Sequence, residues 1–187
     1  MSFTDAFKAL NGLKRRKVIR DYVVIGAVAA TSYMEPVFTD DIDVIVLVDS
    51  DEEYLTTFEA ISQEAESQEG MHQVLGGVPV QLFPTTIMPL YRDSLDGARL
   101  ARLGNLRVKI ASAEHLILLY LLAFREKDQL RIRYLLSNID EGRLRHLLER
   151  FDDGQNTLAG RLQGLRGTSV PREREVAPPS GPDELLP

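Results

Sequence analysis

Two carboxylates one residue apart, Asp41 and Asp43, stand at the head of the apolar run Val44-Ile45-Val46-Leu47-Val48. Side chains alternate along a strand, so Asp41 and Asp43 share one face while Ile42 points into the core. Hard oxygen donors at that spacing can share a divalent cation. Magnesium asks little more of a protein when water and substrate phosphates complete its shell. Asp41 and Asp43 are therefore the candidate metal ligands and catalytic residues, with Mg2+ as the expected cofactor. Gly26 lies upstream, at the exit of the short β-branched run Tyr22-Val23-Val24-Ile25. A glycine there lets backbone N–H groups and a following helix come close to a phosphate chain held by the same metal.

These residues have to be positioned by a sheet. Phe3, Ala6, Phe7 and Leu10 at helical spacing predict an opening helix that stops at Asn11-Gly12, and Tyr22 to Ile25 reads as a strand leading through Gly26 into a helix that extends to about Met34. The run after Asp43 is apolar on both faces, as expected for a strand in the middle of a sheet. Asp51-Glu52-Glu53 opens a helix to about Gln68, and Gly76-Gly77 joins two strands, 73–75 and 78–83, in a hairpin ended by Pro84. Residues 86–103 have helical spacing, 106–110 alternate as a strand, and Ser112 caps a long apolar helix from His115 to Phe124. Further helices are expected over 127–137 and 141–150. The expected class is α/β (α+β), a mixed central sheet with packed helices and a helical C-terminal cap. The expected divisions are an N-terminal helix and basic segment (1–20), an α/β core (21–110), a cap (111–151) and a disordered tail (152–187). Periodicity fades after Asp152, and the last 21 residues hold five of the nine prolines.

Composition narrows the chemistry. The 187 residues are 44% hydrophobic and 27% charged, which is globular, and no apolar run approaches the ~20 residues a membrane-spanning helix needs. A cytoplasmic protein without membrane contact is expected. With no cysteine there is no thiol nucleophile, disulfide or thiolate zinc site. Of the 22 basic residues, none falls between Asp21 and Tyr91, so an acidic middle is flanked by basic edges. Such a middle repels a polyanion unless metal ions intervene. The basic stretch Lys14 to Arg20 has no interleaved aromatic residue to stack on a base. His72, His115 and His146 have no metal-ligand spacing, Asp40 belongs to the face opposite Asp41, and Asp93 and Asp96 reach the site only if their helix leans over the sheet.

The strand-Gly26-Ala27-helix step followed by Thr39-Asp40-Asp41-Ile42-Asp43 resembles the nucleotidyltransferase fold of the DNA polymerase β-like superfamily. Within it the chain is similar to small bacterial nucleotidyltransferases of the abortive-infection and toxin–antitoxin type. Thr39 to Asp43 match their Thr-x-Asp-Ile-Asp step, and Glu114, Leu116, Ala123, Arg125, Lys127 and Asp128 match a helical segment of theirs. The resemblance covers about residues 20–137 and implies transfer of a nucleoside monophosphate from a nucleoside triphosphate to a hydroxyl. Asp41 and Asp43 would hold the metal. Gly26, Ala27 and Thr39 would line the nucleotide, and Arg125 and Lys127 would meet its phosphates; helical spacing, apart from the resemblance, puts Arg131 on the same face as Lys127.

Four residues depart from the family pattern. Ala27 stands where serine or glycine is usual, Gln81 where a third aspartate is expected, Tyr120 where active members carry lysine, and Arg131 where they carry a further aspartate. An amide is a poor base, so deprotonation of an attacking hydroxyl lacks its usual carboxylate. The alternative reading is a catalytically reduced protein of this fold that binds nucleotide or a partner protein. The acceptor is open among a protein hydroxyl, a tRNA end and a small molecule, and a homodimer is possible through the C-terminal helices.

Overall fold

The computed structural model describes residues 3–36, 38–103 and 105–167. Helix α1 (Phe3–Arg15) leads to strand β1 (Tyr22–Ile25), the short helix α2 (Gly26–Ala30) and strand β2 (Ile42–Val46). Helix α3 (Asp51–Glu64) follows, then β3 (Ser67–Glu69), β4 (His72–Leu75) and β5 (Val78–Pro84). Helix α4 (Pro89–Asp96), the hairpin β6 (Arg99–Leu103) and β7 (Leu106–Ile110), and helices α5 (Ala113–Ala123), α6 (Glu126–Leu135), α7 (Glu141–Phe151) and α8 (Thr157–Arg166) follow among the described residues. The strands form one seven-stranded mixed sheet in the order β3-β4-β5-β2-β1-β7-β6.

Strand β2 is at its centre, as the two-sided apolar run required. It runs antiparallel to β1, with Asp43 opposite Ile25, and parallel to β5, with Asp43 beside Gln81. Ile42, Val44 and Ile45 are fully buried. The face bearing Asp43, Gln81 and Phe83 is roofed by Tyr91 of α4 and by Leu119 and Tyr120 of α5. Helices α5 and α6 pack on one another, and α7 and α8 pack on α5. This is the mixed sheet with a helical C-terminal cap that the pattern of elements implied.

Four local expectations need correction. Residues 86–103 are not one helix: α4 stops at Asp96, Gly97 caps it, and 99–103 form edge strand β6. Gly97 as the helix stop outweighs the helical spacing there. Helix α2 ends at Ala30 and turns, not helix, lead towards Met34, while α3 ends at Glu64 and β3 takes up 67–69. The segment from 152 is not a uniformly disordered tail, because α8 spans Thr157–Arg166. Leu158, Leu162 and Leu165 give it a buried stripe at helical spacing, and the carboxylates of Asp152 and Asp153 accept from four backbone N–H groups at its start. The expectation for 168–187 lies outside the described residues.

The acidic middle is answered across the fold. Lys14 and Lys109 both donate to Asp21, at 2.6 and 2.5 Å, Arg16 pairs with Glu64, and Arg20 bridges Asp49 and Glu53. Three of the basic residues between Lys14 and Arg20 are thus engaged with carboxylates of this chain.

A second polar network pins the cap. The Nε2 of His115 lies 3.0 Å from Oδ2 of Asp93, and its Nδ1 lies 2.8 Å from the Ser112 hydroxyl. The Asp93 carboxylate can only accept, so the proton sits on Nε2 and Nδ1 accepts from Ser112. Arg150 of α7 closes the chain of contacts at 2.6 Å from Oδ1 of Asp93. Ser112 is fully buried and caps α5, so this serine–histidine–aspartate array ties α4, α5 and α7 together and offers no nucleophile.

Burial holds His115 below its ordinary value of 6.5, against the opposing pull of Asp93. The unfolded chain then takes up the proton first. The stability this histidine contributes is complete above about 6.5 and is lost as pH falls from there through the lower folded value. A melting series from about pH 8 to about pH 5 should therefore decline below 6.5 in the wild type. His115→Gln should melt lower at the top of that range and fall less steeply. A flat wild-type series removes this account.

Candidate functional site

A cavity of about 490 Å³ opens on the Asp43 face of the sheet. All seven residues singled out as ligands or nucleotide contacts line it: Gly26, Ala27, Thr39, Asp41, Asp43, Arg125 and Lys127. So do all four departures, since Ala27, Gln81, Tyr120 and Arg131 stand in its wall. Asp41 and Asp43 lie on the sheet side. Arg125, Lys127 and Arg131 come from the start of α6 and face them from the cap.

The local geometry explains each placement. Strand β1 ends at Ile25 opposite Asp43, and the chain leaves through Gly26 at φ +65°. A side chain there is excluded twice, by that backbone angle and by space, because a Cβ would sit 2.1 Å from Oδ2 of Asp43. Gly26 therefore keeps room for a carboxylate. Thr39 donates from its hydroxyl to Oδ1 of Asp41 at 2.7 Å and so orients that carboxylate. Burial, and then repulsion from Asp41, push the Asp43 carboxyl above its ordinary range. Arg125, His72 and Arg131 offset this in part.

On the cap side, the fully buried Asp128 organises two guanidinium groups. It accepts from Arg125 Nε at 2.7 Å and from Arg131 Nη1 at 3.4 Å. The Arg131 guanidinium lies 5.6 Å above the Tyr120 ring.

A divalent cation fits this donor set in one form. Two neighbouring carboxylates, one of them half-buried and repelled by the other, gain from a positive charge between them. Among the described residues no group of three or more histidine, aspartate or glutamate side chains is placed to hold a metal. A divalent cation held by these two carboxylates would have to draw most of its shell from water and phosphate. Gln81, in register beside Asp43, brings an amide where a third carboxylate would complete the set.

Sequence reasoning passed over several wall residues. His72 is 3.9 Å from Oδ2 of Asp41 and directly opposite Gln81 in the β4–β5 ladder. The Gly76-Gly77 turn pairs Leu75 with Val78, and counting back puts His72 against Gln81, so the signal was there. Phe83, Met88, Tyr91, Leu119 and Leu122 supply apolar wall and reach the cavity through tertiary packing alone. Asp93 and Asp96 stay out of it: the first holds His115 and Arg150, the second Arg92 at 3.3 Å. A second cavity of about 480 Å³ adjoins the first, shares Thr39, Asp41, Lys127 and Arg131 with it, and extends past Phe38, Asp40, Glu69, His72 and Pro79. Among the described residues no helix is long and apolar enough to cross a membrane.

Comparison with solved structures shows a fold shared with a nucleotidyltransferase-like protein and with an antibiotic-resistance factor. An antigenic nucleotidyltransferase-like protein from Paracoccidioides brasiliensis aligns over 87% of this chain and 94% of its own, with a TM-score of 0.54 at 16% identity. The antibiotic-resistance factor ANT(2'')-Ia, whose solution structure reveals substrate-regulated conformation dynamics, aligns over 88% of this chain and 100% of its own, with a TM-score of 0.55 at 12% identity. No family model and no curated protein sequence matches the chain.

Proposed function

We propose that the protein is a magnesium-dependent nucleotidyltransferase of the abortive-infection or toxin–antitoxin type, acting in the cytoplasm. It would transfer a nucleoside monophosphate from a nucleoside triphosphate to a hydroxyl acceptor. The observation that carries this reading is a pair of carboxylates on one face of the central strand, facing three cations across a single cavity. Asp41 and Asp43 would hold the metal, which supplies positive charge against the phosphate oxygens and lowers the pKa of an attacking hydroxyl.

The chain's own residues do the rest. Gly26 and Ala27 leave space beside Asp43 for the phosphate chain, Thr39 keeps Asp41 aimed, and Arg125 and Lys127 neutralise the charge that moves onto departing pyrophosphate. The adjoining cavity beyond Asp41 gives an acceptor a way in, be it a protein hydroxyl, a tRNA end or a small molecule.

A second reading, a nucleotide-binding protein of reduced catalysis, is favoured by one observation: Gln81 occupies the ladder position beside Asp43. Calorimetric titration of the four ribonucleoside triphosphates, with and without magnesium, tests the first reading. Magnesium-dependent binding that Asp41→Ala with Asp43→Ala abolishes supports it. Absence of any binding defeats both nucleotide readings and leaves a partner protein as the ligand. If triphosphate binds but is not turned over with any acceptor until Gln81→Asp is installed, the second reading takes its place.

A further inference from the structure

Two of the departures meet in the structure. Tyr120 on α5 and Arg131 on α6 are in contact, with the guanidinium 5.6 Å over the ring. Both line the 490 Å³ cavity opposite Asp43. Tyr120 is 4% exposed, and its hydroxyl is closed to solvent with no hydrogen-bond partner among the described residues. Such a group lowers stability unless something comes to it. Burial raises its pKa, so it stays protonated and can donate. Arg131 is itself held low against the wall, with a 12% exposed side chain, and among the described residues the hydrogen bond that ties it is a long contact of 3.4 Å to Asp128. A guanidinium has five N–H donors, so most of that fork is left for a ligand.

Resting on the reading that phosphates occupy this cavity, we infer that Tyr120 and Arg131 act as one anion clamp on the substrate's phosphate chain. The buried Asp128 and the Tyr120 ring hold the guanidinium on the cap wall, facing the carboxylates. A phosphate oxygen that draws the guanidinium forward uncovers the tyrosine hydroxyl, which then donates to the same phosphate. The ligand class is a di- or triphosphate carrying magnesium, because the carboxylate wall needs the metal and the cation wall needs the anion. On this account the tyrosine and arginine are not losses from the site. They supply its phosphate grip together.

The probe is magnesium tripolyphosphate, which has no base or sugar to confuse the contact, titrated calorimetrically into the full chain. Tyr120→Phe removes only the hydroxyl. It should weaken tripolyphosphate roughly tenfold, as for a lost hydrogen bond to a charged group, yet leave the melting temperature equal or higher because an unpartnered buried hydroxyl has gone. A merely structural role would lower both together. Arg131→Lys keeps the charge but loses the fork and the stacking, and should also bind roughly tenfold more weakly. The double variant should lose less than the product of the two, since the groups act as a unit. If wild type binds tripolyphosphate and Tyr120→Phe binds it equally well, the clamp is refuted while the proposed function stands. If wild type binds no tripolyphosphate with magnesium, the clamp and the phosphate reading fall together.

Discussion

Asp43→Asn should abolish magnesium-dependent triphosphate binding and turnover while raising the melting temperature of the metal-free protein. The two halves have one cause. Asp43 is half-buried and faces Asp41, and both effects push its carboxyl up, desolvation the more strongly. For an acid whose folded value lies above the unfolded 3.8, the unfolded chain gives up its proton first. The cost to the fold therefore grows as pH rises from that value through the folded one, and it is fully present above both. Asparagine keeps the shape and removes the charge. In chelator at neutral pH the variant should melt higher, by roughly 2–4 °C for each kcal/mol recovered in a chain of this size.

Added magnesium with triphosphate should raise the wild-type melting temperature and leave the variant unmoved. Loss of the charge that faces the reacting phosphates should lower turnover on the order of 1000-fold, about 4 kcal/mol. A metal-free Asp43→Asn protein that melts lower than wild type would contradict the burial argument. Retained magnesium dependence would contradict the site.

The second large effect is expected at Gly26. Gly26→Ala puts a Cβ 2.1 Å from Oδ2 and 3.0 Å from Cγ of Asp43, so the carboxylate has to leave its place. It also forces an L side chain onto a backbone at φ +65°, which costs about 1–2 kcal/mol. Gly70 separates the two causes, because its φ is +62° and nothing lies within 4 Å of the Cβ it lacks. Gly26→Ala and Gly70→Ala should both lose stability from the backbone term. Only the first should lose turnover, on the order of 100-fold, as expected for a metal ligand displaced by about 1 Å. Chemical denaturation run beside a turnover or binding assay separates the two. Equal activity in the two variants would mean that Gly26 is a turn residue with no part in holding Asp43's position.

Much of this site could be read from the chain itself, because its rules are local. Alternation puts Asp41 and Asp43 on one face. An apolar run on both sides makes β2 central, and a glycine at the end of a β-branched strand marks the turn beside them. The Gly-Gly hairpin carried enough register to set His72 against Gln81. Where the reading of residues 86–103 and 157–166 went astray, the missing signals were local too: Gly97 as a helix stop, and the stripe of Leu158, Leu162 and Leu165.

The tertiary structure decided what lies across the cavity. No periodicity places Arg125, Lys127 and Arg131 opposite Asp43, or lays Arg131 on Tyr120 above a buried Asp128. Those meetings depend on how α5 and α6 pack as a cap over the sheet. The pairing of Gln81 with Asp43 likewise depends on a parallel ladder between strands far apart in the chain. Local propensity acts over a turn or a strand. Contacts between distant segments are chosen by which apolar faces can be buried together, and that is a property of the whole chain.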